Sequence, residues 1–200
     1  MKSHLSPIGR SAEQHFRHLS RLLIDVKVTD ICGTGLSLDN GTQKAADLIV
    51  SARSDGNKVM LIGNGGSAAI ASHAHNDLCK RAGVRALVFN EPPLLTALAN
   101  DYGYASVFER PIEMWAEQAD VLLAISSSGR SESILRAAHA ALKRKCRVIT
   151  LSGFASDNPL RRMGHINFYI ASSEYGEVEA AHSVVMHFLT DLAKALGERS

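Results

Sequence analysis

The 200-residue chain carries 22 Lys plus Arg against 20 Asp plus Glu, a formal net charge of +2, and 46% hydrophobic residues. That balance gives no electrostatic case for a nucleic-acid or anionic-membrane partner, and no apolar run reaches the roughly 18 residues of a membrane span. Three scattered cysteines, Cys32, Cys79 and Cys146, without a C-x-x-C pair argue against a disulfide framework or a thiolate zinc site.

The amino terminus lacks the continuous apolar core of a signal peptide, so a cytoplasmic protein is expected. Ile8 to Val26 reads as a helix, with Phe16, Leu19, Leu22, Leu23 and Val26 on one stripe. The stripe of Phe16, Leu19, Leu23 and Val26 has no obvious place in a sheet's own cover, which points to subunit contacts. Asp30 to Leu38 reads as a loop, and Asp39 or Asn40 as the cap of a second helix running to Arg53. From Val59 the pattern alternates. Val59 to Ile62 is a buried strand. Gly63-Asn64-Gly65-Gly66-Ser67 is a glycine-rich turn, and a helix follows from Ala68. Ala86 to Phe89 is a second strand. A short helix covers Leu94 to Leu98, Asn100 to Gly103 breaks the chain, and Ser106 to Ala116 is helical. Val121 to Ile125 is a third strand with the exit loop Ser126-Ser127-Ser128-Gly129-Arg130-Ser131. Glu132 to Lys145 is a helix, Arg147 to Leu151 and Ile166 to Ile170 are strands, and Glu177 to Leu196 is a long final helix. Strands alternating with helices predict a parallel sheet covered on both faces. No repeat or long linker interrupts it, so one domain is expected over residues 1–200: a helical region, 1–57, and a core, 58–200.

Ligands of such sheets bind beyond the carboxyl ends of strands, where the two small-residue loops lie. The glycine turn lets backbone approach a ligand closely and aims a helix amino terminus at it, a corner suited to phosphate. Ser67 serves as a cap or a phosphate donor. The turn has no Lys-Ser/Thr after its glycines and lacks the third glycine of the dinucleotide fingerprint, leaving a mononucleotide or phosphosugar site. The alternative is a tight turn without ligand. Ser126, Ser127, Ser128 and Ser131 form a neutral, donor-rich cradle; the alternative is a solvated loop with Ser131 as an ordinary cap. His73 and Asp77, four apart, share a helix face as metal ligands, an acid/base pair, or a surface pair. His75 and Asn76 point elsewhere. On the last helix Glu179 and His182 share a face. Glu179 and His187 lie about 80° and about 12 Å apart and join at one ion only if both lean inward. Otherwise His187 is a packed core histidine among Val184, Val185, Phe188 and Leu189.

Together GNGGS-x5-H, the NDYG element, ISSSGRS and a terminal E-x-x-H-x4-H resemble the SIS (sugar isomerase) family of phosphosugar-binding domains. Within it, the bacterial phosphoheptose isomerases look nearest, over Leu48 to Leu196. The resemblance implies a three-layer αβα sandwich, flavodoxin-like, around a five-stranded parallel sheet preceded by helices. It also implies a homotetramer whose sites take residues from neighbouring subunits. The implied reaction interconverts sedoheptulose 7-phosphate and glycero-manno-heptose 7-phosphate, with zinc at the site in several members. Asn64, Gly65, Gly66 and Ser67 match sugar-phosphate contacts, Asn100 and Asp101 a second contact element, and Ser126, Ser127, Ser128 and Ser131 the phosphate loop. His73, Asp77, Glu179 and His187 match the metal and catalytic positions, with Asp77 and His187 moving protons and Glu179 also touching substrate. His182 is the substitute ligand if His187 points into the core. Asp77 stands where the branch usually has Glu, and Glu179 where it has Gln. Other family members are regulatory subunits, including some that associate with the replication initiator, and others isomerise different sugar phosphates. Retention of Asp77 and His187 favours an enzyme.

Overall fold

The computed structural model describes residues 9–198. Helix α1 (Ala12–Ile24) opens on a capping box, Ser11 accepting from the Gln14 N–H and Gln14 from the Ser11 N–H. It stops at Ile24, short of the expected Val26; the expected start, Ile8, lies outside the described residues. The stretch read as a loop instead holds a hairpin, β1 (Lys27–Asp30) and β2 (Gly35–Leu36). Asp30 closes its turn by accepting from the N–H groups of Cys32 and Thr34. α2 (Leu38–Ser54) is capped by Ser37 rather than Asp39 or Asn40.

The alternating part follows as β3 (Val59–Ile62), α3 (Gly66–Lys80), β4 (Ala86–Val88), α4 (Pro92–Tyr102), α5 (Glu109–Trp115), β5 (Val121–Ser126), α6 (Glu132–Lys143), β6 (Arg147–Ser152), β7 (Ile166–Tyr169) and α7 (Tyr175–Gly197). α3 starts at Gly66 rather than Ala68. α4 is longer than expected because Pro92 and Pro93 fill its first turn, where a missing N–H costs nothing, and Glu91 caps it. It absorbs Asn100 and Asp101, so the break comes at Gly103. The helix read from Ser106 is split into a 3-10 turn (Tyr104–Ser106) and α5.

The sheet order is β2-β1-β7-β6-β5-β3-β4. Its five core strands, β4-β3-β5-β6-β7, are parallel, as expected. The hairpin adds two antiparallel strands beyond β7, making seven. Within each parallel strand, alternate residues enter different cores. Val59, Leu61, Val121, Leu123 and Ile125 face the side covered by α1, α2, α3 and α7. Met60, Ile62, Leu122 and Ala124 face α5 and α6. Leu19, Leu23 and Val26 of the α1 stripe pack into the first core, against the expectation that they lack a place there. Phe16 stays 65% exposed.

The parallel strands follow the 2-1-3-4-5 order, whose switch point lies between β3 and β5. α3 leaves β3 toward one face and α6 leaves β5 toward the other, so a crevice opens between their carboxyl ends. At the opposite ends buried Asp120 ties the same strands. It accepts from the N–H groups of Lys58 and Glu117 and pairs with Lys58 Nζ at 2.7 Å. Among the described residues no helix is long and apolar enough to cross a membrane.

Candidate active site

The crevice holds a cleft of about 210 Å³ lined by both small-residue loops and by Tyr175 and Glu179 of α7. Gly65 precedes α3 with φ +52° and ψ −123°, a conformation that side chains resist, and no side chain caps the helix there. A Cβ on Gly66 would collide with the Glu179 carboxylate. The glycines therefore permit both the turn and the close approach of α7. Ser67 is buried in the first turn of α3 and is not its cap.

The four serines divide by commitment. Ser126 Oγ accepts from the Gly129 N–H and Ser128 Oγ from the Arg130 N–H, both at 3.2 Å, so these two shape the loop. Ser127 Oγ is buried with no partner among the described residues. Ser131 sits at the cap of α6, and its hydroxyl takes no helix N–H. Arg130 turns away to Asp157 at 2.9 Å. Besides the Glu179 carboxylate, what remains in the cleft is a set of neutral donors, able to bind an oxyanion through hydrogen bonds. Asn64 ties the glycine turn to the first turn of α6, its Nδ2 donating to Ser133 Oγ at 3.0 Å.

Farther along α3 lies a second constellation. Asp77 Oδ2 stands 3.5 Å from His73 Nε2, one turn back, and 3.5 Å from His187 Nδ1 of α7. The three donor atoms lie within 4.8 Å of one another. The imidazoles meet edge-on at 4.9 Å. Asp77 is buried, whereas the His73 and His187 side chains are 59% and 46% exposed. Arg81, one turn on, reaches Asp77 Oδ2 at 3.4 Å and is itself held by Asp191 at 2.5 Å. Tetrahedral zinc with bonds of about 2.0–2.1 Å places its ligand atoms about 3.3 Å apart. The two histidine-to-Asp77 spacings of 3.5 Å come near that value, and two nitrogens with one oxygen are a donor set that suits such an ion.

Residues 30–153 match the SIS-domain family model, a stretch that includes the glycine turn and the serine loop. The chain belongs to the SIS family. It falls in that family's phosphoheptose isomerase branch. The phosphoheptose isomerase of Helicobacter hepaticus is 34% identical over 165 residues, covering 80% of this chain and 84% of that protein. The phosphoheptose isomerase structure from Francisella tularensis superposes with a TM-score of 0.79 at 26% identity, covering 92% and 96%. That from Neisseria gonorrhoeae gives 0.76 at 26%, covering 90% and 95%.

In this SIS chain the residues singled out from sequence separate into three groups. Asn64, Gly65, Gly66, Ser67, Ser126, Ser127, Ser128, Ser131 and Glu179 share the cleft. His73, Asp77 and His187 form the constellation on α3 and α7. Glu179 is not part of it: its carboxylate lies against Gly66 and makes no ion pair among the described residues. Asn100 and Asp101 stay outside the cleft, exposed at the end of α4 and bonded to each other at 2.9 Å. His187 does not enter the core. His182 does, fully buried with Nε2 at 3.2 Å from the Ser152 carbonyl, and burial holds its pKa down to about 4. It cannot substitute as a ligand. Sequence reasoning missed Arg81, although its four-residue offset from Asp77 was legible, and Ser133, Tyr104 and Tyr175, which carry no local signal. A larger cleft of about 350 Å³ beside the β1–β2 turn lies away from both constellations. Its Asp30 and Arg161 are spent on Cys32, Thr34, Ser156 and the Tyr169 ring.

Proposed function

We propose that the chain is an aldose–ketose isomerase converting sedoheptulose 7-phosphate to glycero-manno-heptose 7-phosphate, working as a single SIS domain within a homotetramer. One observation carries the reading: a cleft rich in neutral donors, with the Glu179 carboxylate in its wall, and a His–Asp–His constellation both lie along α3, and α7 contributes to each. Gly66 and His73 are seven residues apart, about 10 Å along α3. A seven-carbon sugar phosphate spans eight bonds from C1 to phosphorus, about 10 Å at the roughly 1.2 Å per bond of an extended chain. The phosphate then rests on Gly65, Gly66, Ser67, Ser127 and Ser131 while C1 and C2 reach the constellation.

Isomerisation moves a proton between C1 and C2 through an enediol, and needs a base at the carbons and an acid at the oxygens. Asp77 takes and returns the carbon-bound proton. Arg81 and the histidines fix its Oδ2; Oδ1 accepts from the Asn76 amide at 3.5 Å. His187, half exposed beside Asp77, exchanges protons with the two oxygens through Nε2, since Nδ1 is the nitrogen that faces Asp77 Oδ2. The phosphate, remote from these carbons, supplies binding energy that orients them. His73, Asp77 and His187 would hold a zinc ion, which when bound polarises the carbonyl and enediol oxygens. Phe16 and Ile24 on α1 and Val184 and Phe188 on α7, all exposed, supply apolar surface for subunit contacts. A regulatory phosphosugar-binding role without turnover is the competing reading, and the complete His–Asp–His set counts against it.

The test is an isomerase assay over a panel of ketose phosphates, with and without chelator. Turnover of sedoheptulose 7-phosphate, lost in chelator and restored by zinc, is expected. Tight binding of the sugar phosphates with no turnover of any would leave only the regulatory reading. Monomer mass by light scattering at micromolar concentration would remove the tetramer.

A further inference from the structure

The segment between α4 and α5 sends one side chain to the cleft. No residue of α4 is buried, and Tyr104, two residues past its end, is 57% exposed. Its phenol nevertheless donates to Asn64 Oδ1 at 2.7 Å, across 40 residues of sequence. Asn64 is the residue of the glycine turn whose amide also bonds Ser133. A carboxamide has two N–H donors and two acceptor lone pairs. These two bonds use one of each. They leave one N–H and one lone pair on a group whose plane and flip are both fixed, since the phenol is the stronger donor and belongs on the oxygen. Held by Ser133 alone, the carboxamide would be free to pivot about that single bond. Asn64 lines the cleft, so the remaining donor and acceptor are available to a ligand there.

We propose that Tyr104 is a positioning residue, fixing the Asn64 carboxamide so that its free N–H and lone pair read neighbouring sugar hydroxyls of the phosphosugar. A polyol chain is the ligand chemistry that matches such a pair, because each hydroxyl both gives and accepts a hydrogen bond. This rests on the isomerase reading, and it extends the substrate contacts to a residue outside the cleft wall.

Tyr104→Phe deletes one oxygen from an exposed ring. The melting temperature should stay unchanged, and kcat/KM for sedoheptulose 7-phosphate should fall about 3- to 10-fold, the worth of one neutral hydrogen bond. The loss should appear in KM with kcat nearly retained, as for a contact made equally in ground and transition states. The deciding measurement is a double-mutant cycle with Asn64→Ala, by kinetics and by calorimetric binding of sedoheptulose 7-phosphate. Tyr104→Phe should have no further effect in the Asn64→Ala background. An unchanged kcat/KM and affinity in Tyr104→Phe, or a loss that persists in the Asn64→Ala background, overturns the proposal. A wild type that binds the sugar without turning it over refutes the isomerase reading, while the binding cycle still decides the role of Tyr104. A wild type that does not bind it overturns both.

Discussion

Ser127→Ala should move stability and binding in opposite directions. Ser127 Oγ is buried without a hydrogen-bond partner among the described residues, and an unsatisfied buried hydroxyl costs about 1–3 kcal/mol. Alanine removes the hydroxyl and leaves the loop's own bonds, which belong to Ser126 and Ser128, in place. The free protein should therefore gain about 1 kcal/mol, a rise in melting temperature of roughly 2–4 °C for a chain of this size. In the complex the same hydroxyl donates to a charged oxygen, worth about 1.5–3 kcal/mol. Dissociation constants for sedoheptulose 7-phosphate and inorganic phosphate should then rise about 10- to 150-fold. The assay is calorimetric titration beside thermal melts with and without phosphate. Ser128→Ala, which removes an acceptor of the Arg130 N–H, should instead lower the melting temperature. Unchanged phosphate affinity in Ser127→Ala, whatever its stability, would refute the reasoning that this orphaned hydroxyl is reserved for an anion.

His187→Ala should abolish zinc retention by elemental analysis, because it removes one of the three donors that converge among the described residues, whereas His182→Gln should retain the metal. Full zinc in His187→Ala would place the ion elsewhere. Glu179→Gln should tighten inorganic phosphate binding several-fold by calorimetry, because a carboxylate with no ion pair among the described residues, in the same cleft, repels the anion by roughly 1 kcal/mol even at the dielectric of water; weaker binding would mean that Glu179 acts through a cation. Stability should fall on acidification from neutral pH. His182 has a folded pKa of about 4, held down by burial, against 6.5 when unfolded. The unfolded chain therefore takes up its proton first, and stability declines as pH drops through 6.5 toward 4. Glu177, depressed by its bonds to Ser172, Arg10 and His18 despite burial, loses its contribution at lower pH still. His182→Gln should flatten the melting temperature between pH 6.5 and 4, and an unaltered profile would assign that slope to other groups.

What was legible in the sequence is what depends on near neighbours along the chain. The apolar runs at Val59, Val121 and Arg147 carry their own strand signal. A glycine turn and a serine loop placed after strands fall at the mouth of the sheet whatever the connections. His73 and Asp77 are one helical turn apart, so a helix over them is enough to join them. The hairpin at Lys27 to Leu36 was lost because strands of four and two residues are too short to show a periodicity, and its turn depends on the Asp30 carboxylate accepting from the Cys32 and Thr34 amides. The position of His187 depends on α7 packing against α3, which no local pattern specifies. The same cause misplaced Glu179: placing it beside His187 required two side chains about 80° apart on one helix to lean together. The fold instead gives each its own site, Glu179 over Gly66 and His187 over Asp77. In the free chain the Glu179 carboxylate therefore lies with the glycine turn, apart from the cluster of His73, Asp77 and His187. Asp77 is one methylene shorter than the Glu that the resemblance implies at its position. His187 and Arg81 come to its Oδ2 from two sides, and the carboxylate is positioned by its partners rather than by its reach.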